Sequence, residues 1–247
     1  MLPQKPSIQF AIPIRGRWAS LEEHRVTPAE LFRHYTELTT LDEEVFGAAI
    51  LVRADGNPWN TADHGEEFLH LEWWLHGIAA LLSGDTSSDI WAWEESDMKA
   101  RRDGDLVVLE EKTHHKELQL GPVCFRLREF ATALTGATSS AVNLLDALKQ
   151  VAADQNPNDW KTAVEAVRDA PQNPTPMSAA DSEAALARME ELEKGLLRKL
   201  LSPFFKPRRS SEEESRNERL HMILDYLARE ELTSSWQHLS RILADCV

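Results

Sequence analysis

The sequence predicts an α+β protein, in which a small, mostly antiparallel sheet with packed helices is followed by an all-helical C-terminal part. Three observations predict this class. Short runs in the first half alternate apolar and polar residues, as half-buried strands do. Residues 66–82 instead carry apolar side chains at helical spacing. From residue 178 onward, the apolar stripes all have the helical period.

The first elements follow from local signals. Residues 8–14 alternate as a strand, and Pro13 places that strand at an edge or near its end. Thr27-Pro28-Ala29-Glu30 has the form of a capping box, which predicts a helix from there to about residue 39. Residues 46–52 predict a buried strand, and residues 55–58 predict the turn that ends it.

The central elements are a helix and a meander. The helix over residues 66–82 ends at Ser83-Gly84-Asp85, where glycine suits a helix C-terminus. Residues 90–93, 106–109 and 117–120 then predict short antiparallel strands, with a hairpin turn at Asp103-Gly104-Asp105 between the first two. Two helices are predicted next, one beginning at residue 125 and reaching 134, the other over residues 141–151.

Composition changes twice in the second half of the chain. A break at Asn156-Pro157 and a proline-rich run over residues 171–176 predict a linker. The domains predicted are therefore an acidic α+β domain over residues 1–153, a linker over 154–177 and a helical part over 178–247. Ser178 is placed to cap the first helix of that last part.

Composition also excludes several classes of function. The chain has 247 residues, a pI near 5.1 and a net charge of −14. This charge argues against nucleic acid as a ligand, because phosphate contacts need Lys and Arg. No apolar run is long enough to span a membrane, and no signal peptide is evident. Two cysteines in apolar surroundings, Cys124 and Cys246, predict reduced thiols and hence a cytoplasmic protein.

The negative charge is concentrated in one stretch, called here the acidic segment and defined as residues 37–97. It holds 14 acidic residues and one basic residue, Arg53, together with five of the eight tryptophans. A one-signed patch with aromatic rings suits recognition of a basic protein, because its field speeds encounter and its rings can fill pockets. The partner-binding residues predicted here are Asp63, Glu66, Glu67, Trp73, Asp85, Asp89, Trp91, Trp93, Glu94, Glu95 and Asp97.

Candidate chemistry is sparse. His64, His70 and His76 recur every six residues, which turns a helix by about 240° and puts them on different faces. Glu72 and His76 are four residues apart and can share a face, but no third or fourth ligand is indicated. No catalytic motif, metal site or cofactor site is predicted.

A family resemblance accompanies these features. The run over residues 48–134 has a strand (Ala49-Ile50-Leu51-Val52), a turn with Pro58-Trp59 and an amphipathic helix ending in Ser83-Gly84-Asp85. It continues with Trp93-Glu94-Glu95, further strands and Phe125-Arg126-Leu127-Arg128-Glu129-Phe130 leading a helix. In this order of elements it resembles small WapI-like immunity proteins of bacterial polymorphic toxin systems. The resemblance implies a cytosolic, acidic, non-enzymatic protein that binds one cognate toxin.

The leading hypothesis is therefore a cytoplasmic binding protein that neutralises a basic partner, as an immunity protein does with a toxin. Two alternatives stay open. One is a scaffold that forms a homo-oligomer through its C-terminal helices. The other is a metal-dependent hydrolase that uses His70 or His76 with nearby acids.

Overall fold

A computed structural model describes residues 2–14, 17–37, 48–59, 68–93, 96–113, 121–169 and 212–245. The strands are β1 (Pro6–Ile14), β2 (Arg17–Ala19), β3 (Ala49–Ala54), β4 (Asn57–Pro58), β5 (Ser87–Trp93), β6 (Ser96–Asp103), β7 (Leu106–Thr113) and β8 (Val123–Arg126). The helices are α1 (Leu21–His24), α2 (Pro28–Glu37), α3 (Phe68–Ser83), α4 (Leu127–Gln155), α5 (Pro157–Asp169), α6 (Glu212–Arg229) and α7 (Glu231–Asp245). The α+β class is confirmed.

In the described part of the chain the strands form two antiparallel sheets of four strands, where a single sheet was predicted. The first has the order β2-β1-β3-β4 and the second has the order β5-β6-β7-β8. In the described residues the main chains of the two sheets meet at Gln4, whose N–H donates to the carbonyl of Cys124 at 2.8 Å and which forms a parallel bridge with Phe125. The start of the chain therefore lies along strand β8, the last strand of the second sheet.

Two predicted turns and one predicted cap are present. Asp55 and Gly56 form the two-residue loop between β3 and β4, and both have positive φ, as a type I′ hairpin requires. Gly104 stands in the loop between β6 and β7 with φ of 64°. At the start of α2, the N–H of Thr27 donates to the Glu30 carboxylate at 2.8 Å, and the N–H of Glu30 donates to the Thr27 hydroxyl at 3.2 Å. This is the capping box predicted from sequence.

The meander differs from the prediction by one strand. Strand β6 lies between β5 and β7, so the hairpin turn at residues 103–105 joins β6 to β7. The sequence had predicted that this turn joins the strands over residues 90–93 and 106–109. The sequence of β6 is mostly polar because its outer-face residues, such as Lys99 and Arg101, are charged. Among its described side chains, Met98 and Ala100 are the ones buried in the core. The predicted strand over residues 117–120 lies outside the described residues.

Helix α4 is continuous where two helices were predicted. The sequence Thr135-Gly136-Ala137-Thr138-Ser139-Ser140 resembles a break, yet all of it is helical. The hydroxyls of Thr135 and Thr138 donate to carbonyls four residues earlier, at 2.8 and 2.9 Å, so the helix itself satisfies them. Burial of Ala137, Thr138 and Ala141 against the core then outweighs the weak helix propensity of these residues.

The C-terminal helices share one core with the strands. Residues 157–169, assigned above to the linker, form helix α5, while residues 170–211 lie outside the description. Helices α6 and α7 pack on α3, α4 and α5. The ammonium group of Lys149 on α4 donates to the carboxylate of Glu230 at 2.9 Å. Glu230 is the residue between α6 and α7, and its φ is 55°. The core cluster accordingly runs from Phe10 on β1 to Leu239 on α7.

Candidate functional site

The described acids of the acidic segment are exposed, with one exception. Asp55, Asp85 and Asp89 are all exposed to solvent. Asp55 accepts a hydrogen bond from the N–H of Lys5 at 2.9 Å, and Asp89 pairs with Lys99 on the neighbouring strand at 3.3 Å. Asp85 lies in the loop between α3 and β5. The surface carries their charge, although Lys99 neutralises part of it.

Several predicted partner-binding residues cannot be located. Asp63, Glu66, Glu67, Glu94 and Glu95 lie outside the described residues, as do His64, His114 and His115. For Trp91, Trp93 and Asp97 the backbone alone is described: Trp91 pairs with Met98 and Trp93 pairs with Ser96 across β5 and β6. His70 is likewise described only as part of the backbone of α3. The geometry of a site built from these side chains stays a prediction.

The two tryptophans on α3 have different environments. Trp74 is buried, and its ring stacks on Phe130 of α4 with the ring centres 6.2 Å apart. Trp73 is half-buried and packs against the edge of the core. Of this pair, Trp73 is therefore the ring that has surface available for a partner.

Glu72 is the exception among the described acids, because it is buried. Only 5% of its surface is exposed. Its Oε1 accepts a hydrogen bond from the Tyr226 hydroxyl on α6 at 3.1 Å. The pKa of Glu72 is raised to about 7, mainly by burial; the Tyr226 hydrogen bond opposes the rise, and the negative charge of Glu231 on α7 adds to it. Near neutral pH this carboxyl group therefore keeps its proton to a much greater extent than an exposed glutamate does.

His76 lies one turn further along α3 and contacts α7. Its Nε2 is 3.0 Å from the hydroxyl of Ser235. Ser235 itself is 6% exposed, whereas the His76 side chain reaches solvent. Glu72, His76, Tyr226 and Ser235 thus form a polar cluster, called here the α3 cluster, where α3 meets the two C-terminal helices.

The α3 cluster contains a serine, a histidine and a carboxylate, as hydrolytic sites do, but the carboxylate has no described hydrogen bond to the histidine. A serine hydroxyl within hydrogen-bond distance of an imidazole is the start of a nucleophile–base pair. In such sites a third group binds the second imidazole nitrogen and orients the ring. Here the one described hydrogen bond of the Glu72 carboxylate is to Tyr226. The arrangement instead joins three helices through two polar contacts.

Sequence reasoning found only half of this cluster. The spacing of Glu72 and His76 placed both on one face of α3, but their partners Tyr226 and Ser235 are 154 and 159 residues away. No local pattern marks either partner, because neither belongs to a recognisable motif and only the tertiary packing of the C-terminal helices brings them near α3.

The described ranges contain no group of three or more His, Cys, Asp or Glu side chains placed to hold a metal ion. Within those ranges, too, no helix has the length and apolar character needed to cross a membrane. Cys124, on strand β8, is a buried free thiol.

A comparison of the chain with protein-family models, curated proteins and solved structures gives no match. The function must therefore be argued from the charge and the contacts of the chain itself.

Proposed function

We propose that the chain binds a basic protein through the surface formed by its acidic segment. One observation carries the proposal: residues 37–97 hold 14 acidic residues and one basic residue, while the whole chain has a net charge of −14. Almost all of the net charge thus comes from one quarter of the sequence. Concentrated charge of one sign destabilises the folded state, because the acidic groups repel one another. The same charge attracts an oppositely charged partner, which is the function that we propose for it.

The exposure of the described acids supports this proposal. Asp55, Asp85 and Asp89 face solvent, where charges act at a distance, whereas Glu72 is the member of this set that burial removes from the surface. A field of one sign raises the rate at which an oppositely charged protein arrives, and salt screens it within about 8–10 Å. Trp73, half-buried on α3 within the same segment, offers apolar area for the contact itself.

The class of partner that we propose is a basic toxin, which the chain would neutralise as an immunity protein. The resemblance of residues 48–134 to such proteins supports this choice. An inhibitor of a toxin must bind before the toxin acts, so fast association under electrostatic steering is the property to be expected of it. Growth of cells that express the toxin candidate, with and without this chain, tests the toxin part of the proposal.

Charge reversal tests the binding part. The partner is first captured from a lysate of the source cells at low salt and purified. Its association is then measured with the wild type and with a variant carrying Asp85→Lys and Asp89→Lys. We expect the variant to associate about threefold to tenfold more slowly at low salt and at the wild-type rate near 1 M salt.

A matched control variant carries Asp154→Lys and Glu165→Lys. Both residues are exposed, and both lie outside the acidic segment. Glu165 has a basic partner, Lys161 at 3.8 Å, as Asp89 has Lys99. If both variants slow association equally, only net charge matters and the segment is not the binding surface.

The contact between His76 and Ser235 favours a second function, hydrolysis with Ser235 as nucleophile. A fluorophosphonate probe labels an activated serine covalently. Labelling of the wild type that is lost in Ser235→Ala and in His76→Asn would establish this activity, whereas an unlabelled wild type would exclude it. The 6% exposure of Ser235 weighs against it, because a nucleophile must reach its substrate.

The scaffold alternative receives less support from the packing. Ile223, Leu224 and Leu227 on α6, with Leu232 and Leu239 on α7, are all buried within the chain. In the described part of these two helices, Met222 is the large apolar side chain left exposed, at 61%. Little apolar surface therefore remains on them for a second copy.

A further inference from the structure

An open groove of about 810 Å³ lies between strand β1 and helix α4, which pack on each other. Four consecutive residues of β1, from Ser7 to Phe10, line one side of it. Successive side chains of a strand point to opposite faces of the sheet, so a groove lined by all four follows the edge of the strand and not one of its faces. Four residues correspond to about 13 Å of edge.

The main-chain groups of this edge are directed into the groove. The carbonyl of Lys5 accepts from the N–H of Asp55, on the side where β3 pairs with β1. Successive residues of a strand direct their N–H and C=O to opposite edges, so Gln4 and Ile8 point away from β3. The contact of Gln4 is consistent with this direction, since its N–H donates to the carbonyl of Cys124 on β8.

Ile8 is the residue at which this edge is open. Strand β2 pairs with β1 only over residues 12–14, and β8 ends before reaching this part of β1. Within the described ranges, no hydrogen-bond partner meets the N–H and C=O that Ile8 directs into the groove. Pro6, two residues earlier on the same edge, has no N–H to satisfy. An unpaired strand edge is a template for another extended chain.

The opposite wall is formed by one stripe of α4, on which small residues predominate beside Asn143 and Leu144. Ala133, Gly136, Ala137, Ser140 and Ala147 contribute to it. A Cβ added at Gly136 would have no described heavy atom within 4 Å. Helix α4 packs on β1, and beside Gly136 the groove between them is open, so a larger side chain there would fill it.

The groove has one charged lining residue, the exposed Glu22 on α1. The other lining residues carry no charge, and none is basic. Beside it, Glu23 accepts hydrogen bonds from the Gln9 side chain at 3.3 Å and from the Ser20 N–H at 2.9 Å. A ligand in the groove thus meets a negative charge at the α1 end and polar or apolar groups elsewhere.

From these observations we propose that the groove binds an extended peptide segment of a partner protein, which adds as a strand to the edge of β1 at Ile8. The segment carries small or β-branched side chains toward α4 and a Lys or Arg toward Glu22. The unpaired main-chain groups select an extended backbone, the small-residue wall sets the side-chain size, and Glu22 sets the charge. This site is separate from the acidic segment, so the proposal does not depend on that surface.

The test uses capped octapeptides of valine and serine in which a single lysine occupies each position in turn. A twin set carries glutamine in place of lysine. Fluorescence anisotropy measures the affinity, and amide NMR of the labelled protein monitors the N–H of Ile8. We expect the best lysine peptide to bind about fivefold more tightly than its twin, as one partly exposed ion pair allows, and to shift the Ile8 amide.

Two variants locate the binding. Gly136→Leu places a side chain in the gap at a position where an added Cβ has no described heavy atom within 4 Å. It should weaken binding about tenfold or more, because the peptide can no longer approach the edge. Glu22→Gln should abolish the preference for lysine. Glu165→Gln, an exposed glutamate on α5, is the matched control and should bind as the wild type does.

Four results would overturn the proposal. They are an absence of binding by any octapeptide, full binding by the Gly136→Leu variant, an Ile8 amide that does not shift, and loss of peptide binding in the Asp85→Lys, Asp89→Lys variant. A change in the oligomeric mass of Gly136→Leu, without peptide binding by the wild type, would assign the groove to a second copy of the chain.

Discussion

Replacing Glu72 by glutamine should change how the stability of the protein depends on pH. Burial raises the pKa of Glu72 from 4.5 to about 7 in the folded protein, whereas in the unfolded chain the group returns to its ordinary value. Between these two values the folded state binds more protons than the unfolded state. The free energy of unfolding therefore falls as the pH rises through this interval.

The size of this change in the free energy of unfolding follows from the shift in the pKa of Glu72. A shift from 4.5 to about 7 corresponds to about 3 kcal/mol, which is present below pH 4.5 and lost above about pH 7. Glutamine carries no charge at any pH, and its side-chain oxygen can still accept the Tyr226 hydrogen bond. The variant should thus match the wild type below about pH 4 and exceed its free energy of unfolding by up to about 3 kcal/mol at pH 8.

Urea denaturation of both proteins at several pH values between about 4 and 8, followed by tryptophan fluorescence, measures this difference. Comparing the two proteins at each pH cancels the contributions of all other titrating groups. Glu129→Gln, at an exposed position on α4, is the control and should differ from the wild type by a nearly constant amount. A constant difference for Glu72→Gln as well would show that Glu72 titrates normally and that the argument from burial is wrong.

Two other changes test the packing and the capping of the helices. Gly77→Ala should lower the free energy of unfolding by about 1–3 kcal/mol, because the new Cβ would lie 2.5 Å from Cγ2 of Ile90. Gly136→Ala, the same change at an open site, should raise it by up to about 1 kcal/mol, and equal effects in urea denaturation would contradict both. Thr27→Ala removes the hydroxyl that accepts a hydrogen bond from the Glu30 N–H at 3.2 Å. It should lower the free energy of unfolding by about 1 kcal/mol and with it the melting temperature. An unchanged melting temperature would show that the cap does not contribute to stability.

The locally determined elements were predictable. The capping box at Thr27 and the positive-φ turn at Asp55 depend on a few adjacent residues, and both occur where the sequence places them. The central helix occurs within two residues of its predicted bounds. In each of these places the local signal and the tertiary environment agree, which is the condition under which sequence patterns succeed.

The predictions from sequence fail where burial and pairing with distant residues determine the secondary structure. Strand β6 has so many charged residues that alternation is hidden, and it is a strand because its neighbours pair with it on both sides. Residues 135–140 look like a break between helices, yet α4 continues through them because one face of that stretch is buried. Neither outcome is encoded in the few residues that a local pattern examines.

The sequence by itself determined the fold class, the caps and turns, and the concentration of negative charge in residues 37–97. The tertiary structure alone decided the pairings over long sequence separations, which no local pattern specifies. It buried Glu72 against Tyr226 and placed Ser235 on His76. It also set α4 beside the open edge of β1, because β8 ends where α4 begins. Charge is a property of composition, whereas a pKa near 7 or an unpaired strand edge depends on what packs nearby.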